Sequence, residues 1–404
     1  MTETLIKNAV DAEIIKTISA SEPAWLRELR LGAFERYASL PTPTDRTPGW
    51  RRLKLDGISF DPPAPAPSSP SWEIGSENER KGVFLGHLSA CAKLEAFEPL
   101  IREELTRRTP ASSLEKFSSL VQCAWRIGCF VYVPDGVEAT EPIRLGYFDY
   151  GPYPRTLIIL GKNARLTLTE QFAKGYDFTA GLTTLVLGDG AHLTYAHVQE
   201  CEHSAVVFSH QHARIGRDAK LVTLNFGLGG RLAKSDVEVE LLGRGAHSDM
   251  LGLIFAEGSQ QFDYHTLQGH RSPDTRSDLL FKAALDDESH SVYTGVIIIE
   301  KGAQRSDAYQ ANRNLLLGAN ARADTEPKLE IEADDVRCTH GATVGPIDEE
   351  QLFYLQSRGL DEDSASRLVV DGFFQDVLDR VGDPRVTDPL REKVWPHLGR
   401  LGAH

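Results

Sequence analysis

The chain of 404 residues carries 44 lysines and arginines against 58 aspartates and glutamates, a net charge of −14. A surface of that sign repels a phosphate backbone rather than releasing its counterions, which argues against a nucleic-acid partner. The five cysteines, Cys91, Cys123, Cys129, Cys201 and Cys338, are odd in number and scattered without a CxxC pair, so a disulfide framework is not expected and a reducing cytoplasm fits.

The first elements read as helical. Apolar residues recur at helical spacing in "LIKNAVDAEIIKTI", and "PAWLRELRLGAFERYASL" places Pro23 at a first helical position. The opening "MTETLIKNAVDAEIIKTISA" has early acids and no uninterrupted apolar run, so neither a leader nor a membrane span is expected. Next, "FDPPAPAPSSPSW" holds Pro62, Pro63, Pro65, Pro67 and Pro70, the composition of an extended linker near residues 60–72. Helical character resumes from about Leu94 to Arg126, broken near Pro110, which gives an N-terminal region over residues 1–128.

From Cys129 the chain repeats. "VPDGV", "LGKNA", "LGDGA", "IGRDA" and "LGRGA" end on Val137, Ala164, Ala191, Ala219 and Ala246, separated by 27, 27, 28 and 27 residues. Thr275, Ala303 and Ala321 extend the series. Alternating segments such as "RLTLTEQF", "KLVTLNF" and "DVEVELL" fill the intervals and read as half-buried strands. A fixed period with strand content predicts stacked coils, a mainly β fold of the β-helix or solenoid type over residues 129–345.

A helical subdomain follows over residues 346–404. Asp348 with Gln351 has capping-box spacing, and Gly359 closes the first helix ahead of Leu360. The second helix sets Ala365, Leu368, Val369, Phe373, Val377 and Val381 on one stripe, with Val370, Phe374 and Leu378 beside it. Packing on the same chain and docking to another protein both account for so wide a stripe.

One stretch points to metal chemistry. In "EADDVRCTHGATVG", Cys338 and His340 stand two apart, so on a strand both side chains point the same way, with Cα atoms roughly 6.6 Å apart. Two ligands do not close a tetrahedral site or hold a cluster, so the rest must come from elsewhere. Alternation from Leu329 breaks at Val336, which a bulge near Asp334 and Asp335 explains, and the face taken by Cys338 and His340 stays open. The plainer reading is a buried thiol beside a hydrogen-bonded imidazole. His210 with His212, and His265 with His270, read as solvated ladder positions. No GxxxxGK[ST] loop, GxSxG elbow or HExxH helix occurs. The acids of "ALDDESH" and "DEDS" leave one enzymatic alternative, a cytoplasmic β-helical carbohydrate-active enzyme with a carboxylate pair on the solenoid face.

The segment "AQRSDAYQANRNLLLGANARADTEPKLEIEADDVRCTHGATVGPIDEEQLFYLQSRG" closely resembles the SufB/SufD family of the SufBCD iron–sulfur cluster assembly machine. The likeness spans about Phe262 to Phe374 and reappears in "CFVYVPDGVEATEPIRL" and "LPTPTDRTPGWRRLKL". SufB-like chains carry a cysteine in the segment matching Tyr309 to Gly318, where this chain has none, so the resemblance falls on the SufD side.

That resemblance implies a right-handed parallel β-helix between helical ends, in a non-catalytic scaffold. It implies pairing with a SufB-like paralogue, docking of a SufC-like ABC ATPase through the C-terminal helices, and a possible homodimer when isolated. Docking falls on Leu352, Phe353, Leu355, Arg358, Leu368, Phe373 and Phe374. A transient iron–sulfur cluster, shared at the interface with SufB, falls on His340 with Cys338 beside it, and none is expected to be held tightly by the isolated chain.

Overall fold

The computed structural model describes residues 10–65, 70–107, 112–148, 151–173 and 177–398. Residues 1–9 of the first helical segment, Pro67 of the linker, the break near Pro110 and residues 399–404 lie outside the described residues.

The N-terminal region contributes helices α1 (Ala12–Ile18) and α2 (Ala24–Ser39), strand β1 (Ser71–Glu73), α3 (Ser76–Arg80), β2 (Phe84–His87), α4 (Leu88–Cys91), α5 (Glu98–Thr106) and α6 (Glu115–Ala124). Asp11 caps α1 by accepting from Ile14 N at 2.8 Å. Pro23, expected inside α2, is its N-cap at ψ 150°, since a helix takes its first turn only after an extended residue.

The rest of the molecule to residue 346 is a parallel β-solenoid of two strands per coil. One sheet stacks β3 (Ile127–Val133), β5 (Pro154–Leu160), β7 (Phe178–Leu187), β9 (Val206–Ile215), β11 (Leu232–Leu241), β13 (Gln261–His270), β15 (His290–Ile299) and β17 (Arg322–Ile331). The other stacks β4 (Ile143–Phe148), β6 (Arg165–Ala173), β8 (His192–Glu200), β10 (Lys220–Gly227), β12 (His247–Ala256), β14 (Arg276–Leu285), β16 (Asp307–Leu316) and β18 (Arg337–Pro346).

The turn read from the repeat is the corner between the two sheets. Gly136, Asn163, Gly190, Asp218, Gly245, Asp274 and Arg305 all have φ between 53° and 74° at successive corners. The amide of each donates to a carbonyl of the next coil, at Lys162, Asp189, Arg217, Arg244, Pro273, Gln304 and Asp335 in order. A left-handed corner is steep for any side chain but Gly, Asn or Asp. Arg305 departs from that set, pinned by Nε to Asp274 Oδ1 at 2.6 Å and Nη2 to Asp274 Oδ2 at 2.9 Å. The repeat position after Thr275 is therefore Ser306, which shares a 2.8 Å hydroxyl bond with Thr275, rather than Ala303; Ala321 belongs to the opposite corner, between β16 and β17.

Inward-facing residues such as Leu166, Leu193, Leu221, Met250 and Leu279 fill the lumen. The strands are not half-buried as their alternation suggested, because helices cover both outer faces. Over the odd-numbered sheet, the N-terminal region seals Phe178, Phe208 and Leu232 beneath Trp50 and Phe117. Over the even-numbered sheet lie α8 (Glu362–Val381) and α9 (Pro384–Leu398), preceded by α7 (Glu349–Ser357).

Two lumen histidines contribute to the acid response. Burial alone pushes His197 down to about 3 and His270 down to about 4. The unfolded chain takes those protons near an ordinary value of about 6.5. Stability from each is therefore complete above that pH and is lost as the pH falls from it toward 4 and 3, with a slope of up to about 1.4 kcal/mol per pH unit per histidine. Urea midpoints measured from pH 7 to 4 are expected to fall on that slope, and His197→Phe is expected to flatten it.

Candidate metal half-site at the open end of the solenoid

The two ends of the solenoid differ. At the first coil β1 pairs antiparallel with β4 and β2 with β3, and Trp72, Ile74 and Leu85 pack over the lumen. At the last coil, among the described residues, β17 pairs with β15 alone and β18 with β16 alone, so each sheet ends on an open edge.

Cys338 and His340 sit on that edge. The break at Val336 is not a bulge: residues 332–336 form the corner between β17 and β18, and a new parity starts at Arg337. Parallel register carries inward direction from coil to coil. Leu279, a lumen residue, is paired with Gln310, and Gln310 with His340. Cys338 pairs with Ala308 and packs with Ile297 and Ala333. Both side chains therefore face the lumen at its open mouth, Cys338 half-buried and His340 exposed.

Around them the inward row stays apolar without being covered. Leu329 and Ile331 continue the row of Ile297 and Ile299 yet are 36% and 42% exposed, and Val344 is 43% exposed. Thr325 on the same edge has a buried hydroxyl with no hydrogen-bond partner.

Chemistry singles out the same thiol. Burial pushes Cys91 up to about 11 and Cys123, Cys129 and Cys201 up to about 12, and all four are sealed. Cys338 is also raised by burial but reaches solvent, so it stays a thiol until a cation draws off its proton. Among the described residues no three His, Cys, Asp or Glu side chains gather to hold a metal ion, so none of these residues offers the pair a third ligand of those kinds.

The remaining candidates fall elsewhere. His210 and His212 are not solvated: both are buried under the N-terminal helices, His210 Nδ1 2.8 Å from Ser118 Oγ and His212 Nε2 3.0 Å from Glu240 Oε2. His265 faces Asp263 at 3.2 Å, and His270 lies in the lumen bonded to Thr275 and Ser277 at 2.7 and 2.8 Å. The acid clusters build local structure: Asp287 takes the left-handed position of a corner at φ 52°, and Asp361 caps α8 by accepting from Ser364 N at 2.7 Å.

The C-terminal helices divide. Val370, Phe374, Val377, Leu378 and Val381 of α8 are buried against Leu224, Leu251, Phe255 and Leu280 of the solenoid. At roughly 1.5–3 kcal/mol for each large side chain buried, that face is bound to its own chain. Phe374 thus lies under the helix, facing away from any docked protein, and Phe373 is half-buried with its ring 4.8 Å from Lys282 Nζ. The face is rotated from the stripe read in the sequence, leaving Leu368 50% exposed. On α7 no residue is buried: Phe353 is 73% and Tyr354 57% exposed, Leu352 and Leu355 are half-buried, and the Arg358 guanidinium stands over the Tyr354 ring at 5.2 Å. None of the helices is long and apolar enough to cross a membrane, among the described residues.

The solenoid is thus closed at one end by its own strands and ends at the other on two bare edges with a thiol and an imidazole in the mouth. The family model for the SUF system FeS cluster assembly SufBD core domain matches residues 149–373, and the chain belongs to that family. A SufBD-family iron–sulfur cluster assembly protein of Mycobacterium tuberculosis is 34% identical over 72% of this chain and 75% of its own length. Two relatives are named iron–sulfur cluster assembly protein SufD: that of Bacillus subtilis is 28% identical over 93% of this chain and 95% of its own, and that of Escherichia coli 27% identical over 79% and 77%. The chain is accordingly a SufD-like component of iron–sulfur cluster assembly.

Proposed function

We propose that this chain is the non-catalytic scaffold subunit that pairs, through the open end of its solenoid, with a SufB-like β-helical paralogue, and that the nascent cluster is built in the seam between them as cargo. The carrying observation is the last coil: two unpaired edges whose inward apolar side chains Leu329, Ile331 and Val344 lie exposed around Cys338 and His340. An uncovered edge is a liability in a stable protein and a template for strand addition in a paired one. Pairing covers the apolar rows and brings the missing ligands from the other polypeptide.

The second contact is α7. Phe353 and Tyr354 on α7 and Leu368 on α8 are large apolar side chains left exposed among the described residues, and a SufC-like ABC ATPase is their proposed partner. Closure of an ATPase dimer would pull on α7 and, because α8 is packed on the solenoid, move the seam.

The test is anaerobic purification of the tagged chain from its own host, with mass spectrometry of what co-elutes. An ABC-type ATPase and a β-helical paralogue, with iron and sulfide, are expected. A chain that elutes alone or only as a homodimer would overturn the reading. Phe353→Asp is expected to weaken ATPase retention about 10-fold or more, as loss of a central aromatic anchor does, while the paralogue stays bound.

A further inference from the structure

We propose that Gln310 is a third working group of the open-end site, a positioning residue whose carboxamide oxygen accepts a hydrogen bond from the His340 ring and so leaves the other ring nitrogen free for iron. This rests on the reading of His340 given above.

Gln310 is 1% exposed, and neither its Nε2 nor its Oε1 has a hydrogen-bond partner among the described residues. A buried carboxamide with both ends unpaired is costly, and native folds seldom keep one without use. It sits one coil beneath His340, its register partner on the same inward row. Adjacent strands stand roughly 4.8 Å apart, within reach of a glutamine side chain and an imidazole.

The surroundings are cut to fit. Along that row the chain runs Thr223, Met250, Leu279, Gln310, His340, so the two positions nearest the mouth are both polar. Filling the lumen would be served by another leucine. On the facing strand, a Cβ at Gly295 would stand 2.2 Å from Gln310 Nε2, so glycine keeps room for the carboxamide. Asn314 Oδ1 and Thr325 Oγ1, in the last two coils, are likewise buried and unpaired, as are lumen atoms of earlier coils such as Thr223 Oγ1 and Ser248 Oγ; Gln310 differs from these in lying directly beneath His340 with both ends of its carboxamide unpaired.

The chemistry asks for such a group. An imidazole that ligates a metal holds its other N–H in a hydrogen bond, which fixes the tautomer and aims the ring. Covering of the mouth by the paralogue would turn the exposed His340 ring inward onto Gln310 Oε1. Gln310 Nε2 then remains as a donor toward sulfide.

The test uses the intact complex from the host, titrated anaerobically with ferrous iron alone, in wild type, Gln310→Leu, Gln310→Met and His340→Ala. Both apolar variants are expected to bind iron about 10–100-fold more weakly, the usual effect of removing the partner of a ligating histidine. Their thermal midpoint and partner retention should be unchanged or improved, because an unpaired buried amide is gone. The visible circular dichroism of the reconstituted cluster should change. If both apolar variants bind iron as wild type does while His340→Ala loses it, the role of Gln310 is overturned and that of His340 stands. If His340→Ala also binds as wild type, the reading of His340 falls with it. Should the leucine variant fail to fold, the methionine variant, closer in shape, decides.

Discussion

His340→Ala is expected to leave the chain folded and paired while cluster formation on the complex falls by more than the roughly 10–100-fold that loss of an outer partner of a ligand costs. The side chain is exposed at the mouth of the last coil, and a substitution there is usually worth within about 0.5 kcal/mol of stability. The apolar row that would hold the paralogue, Leu329, Ile331 and Val344, is untouched. Iron and acid-labile sulfide per complex after anaerobic reconstitution measure the effect, with the thermal midpoint as control. Normal iron and sulfide in the variant would remove His340 from the site. Cys338→Ser should show a smaller and pH-dependent loss. Its thiol is raised by burial, so its contribution to binding requires deprotonation by the metal and grows as the pH rises.

How far the site was legible in the sequence follows from where each rule has force. The coil repeat could be counted because a left-handed corner admits few residues, and Gly136, Asn163, Gly190, Asp218 and Gly245 announce it. The count slipped at Arg305, where a paired arginine occupies the corner and nothing local marks it. Parity of alternation is local too, but covering of the outward face is not. His210 and His212 alternate as solvated residues do, and are buried only because helices drawn from 90 residues and more earlier in the chain fold over them, as the Ser118 contact to His210 shows. The direction of Cys338 and His340 depended on whether residues 332–336 were a bulge or a corner, and only coil stacking decides that. The proposed pairing of the edges would involve a second chain, which one sequence does not describe.

The N-terminal cover is fastened to the solenoid by charge as well as by aromatic packing. Lys234 Nζ lies 2.5 Å from Asp263 Oδ2, with side chains 0% and 1% exposed. The same ammonium donates to Gly49 O at 3.0 Å and lies 5.1 Å from the Trp50 ring, so one buried cation ties β11 and β13 to the segment ahead of the linker. Gln261 adds a two-way bond to the backbone of Lys54, at 2.7 and 2.8 Å. Asp263→Ala is expected to destabilise the chain by about 3–5 kcal/mol, because it strands an ammonium where no water reaches it. Replacing both partners, Lys234→Met with Asp263→Leu, is expected to cost far less, since the pair gives back in attraction little more than its desolvation took. Chemical denaturation of the two variants separates these outcomes, and equal losses in both would show that packing, not charge, holds the cover. Acid offers a second measurement. Burial pushes the Asp263 carboxyl up, but Lys234 and His265 outweigh it and hold it below the ordinary value of about 3.9. Its stabilisation is therefore complete above that value and is lost only as the pH falls through its lower native one. Release of the N-terminal cover through this pair should begin below about pH 4, after the lumen histidines have already weakened the solenoid between pH 6.5 and 4. Tryptophan fluorescence of Trp50, 1% exposed beside the pair, should hold through the first step and change in the second.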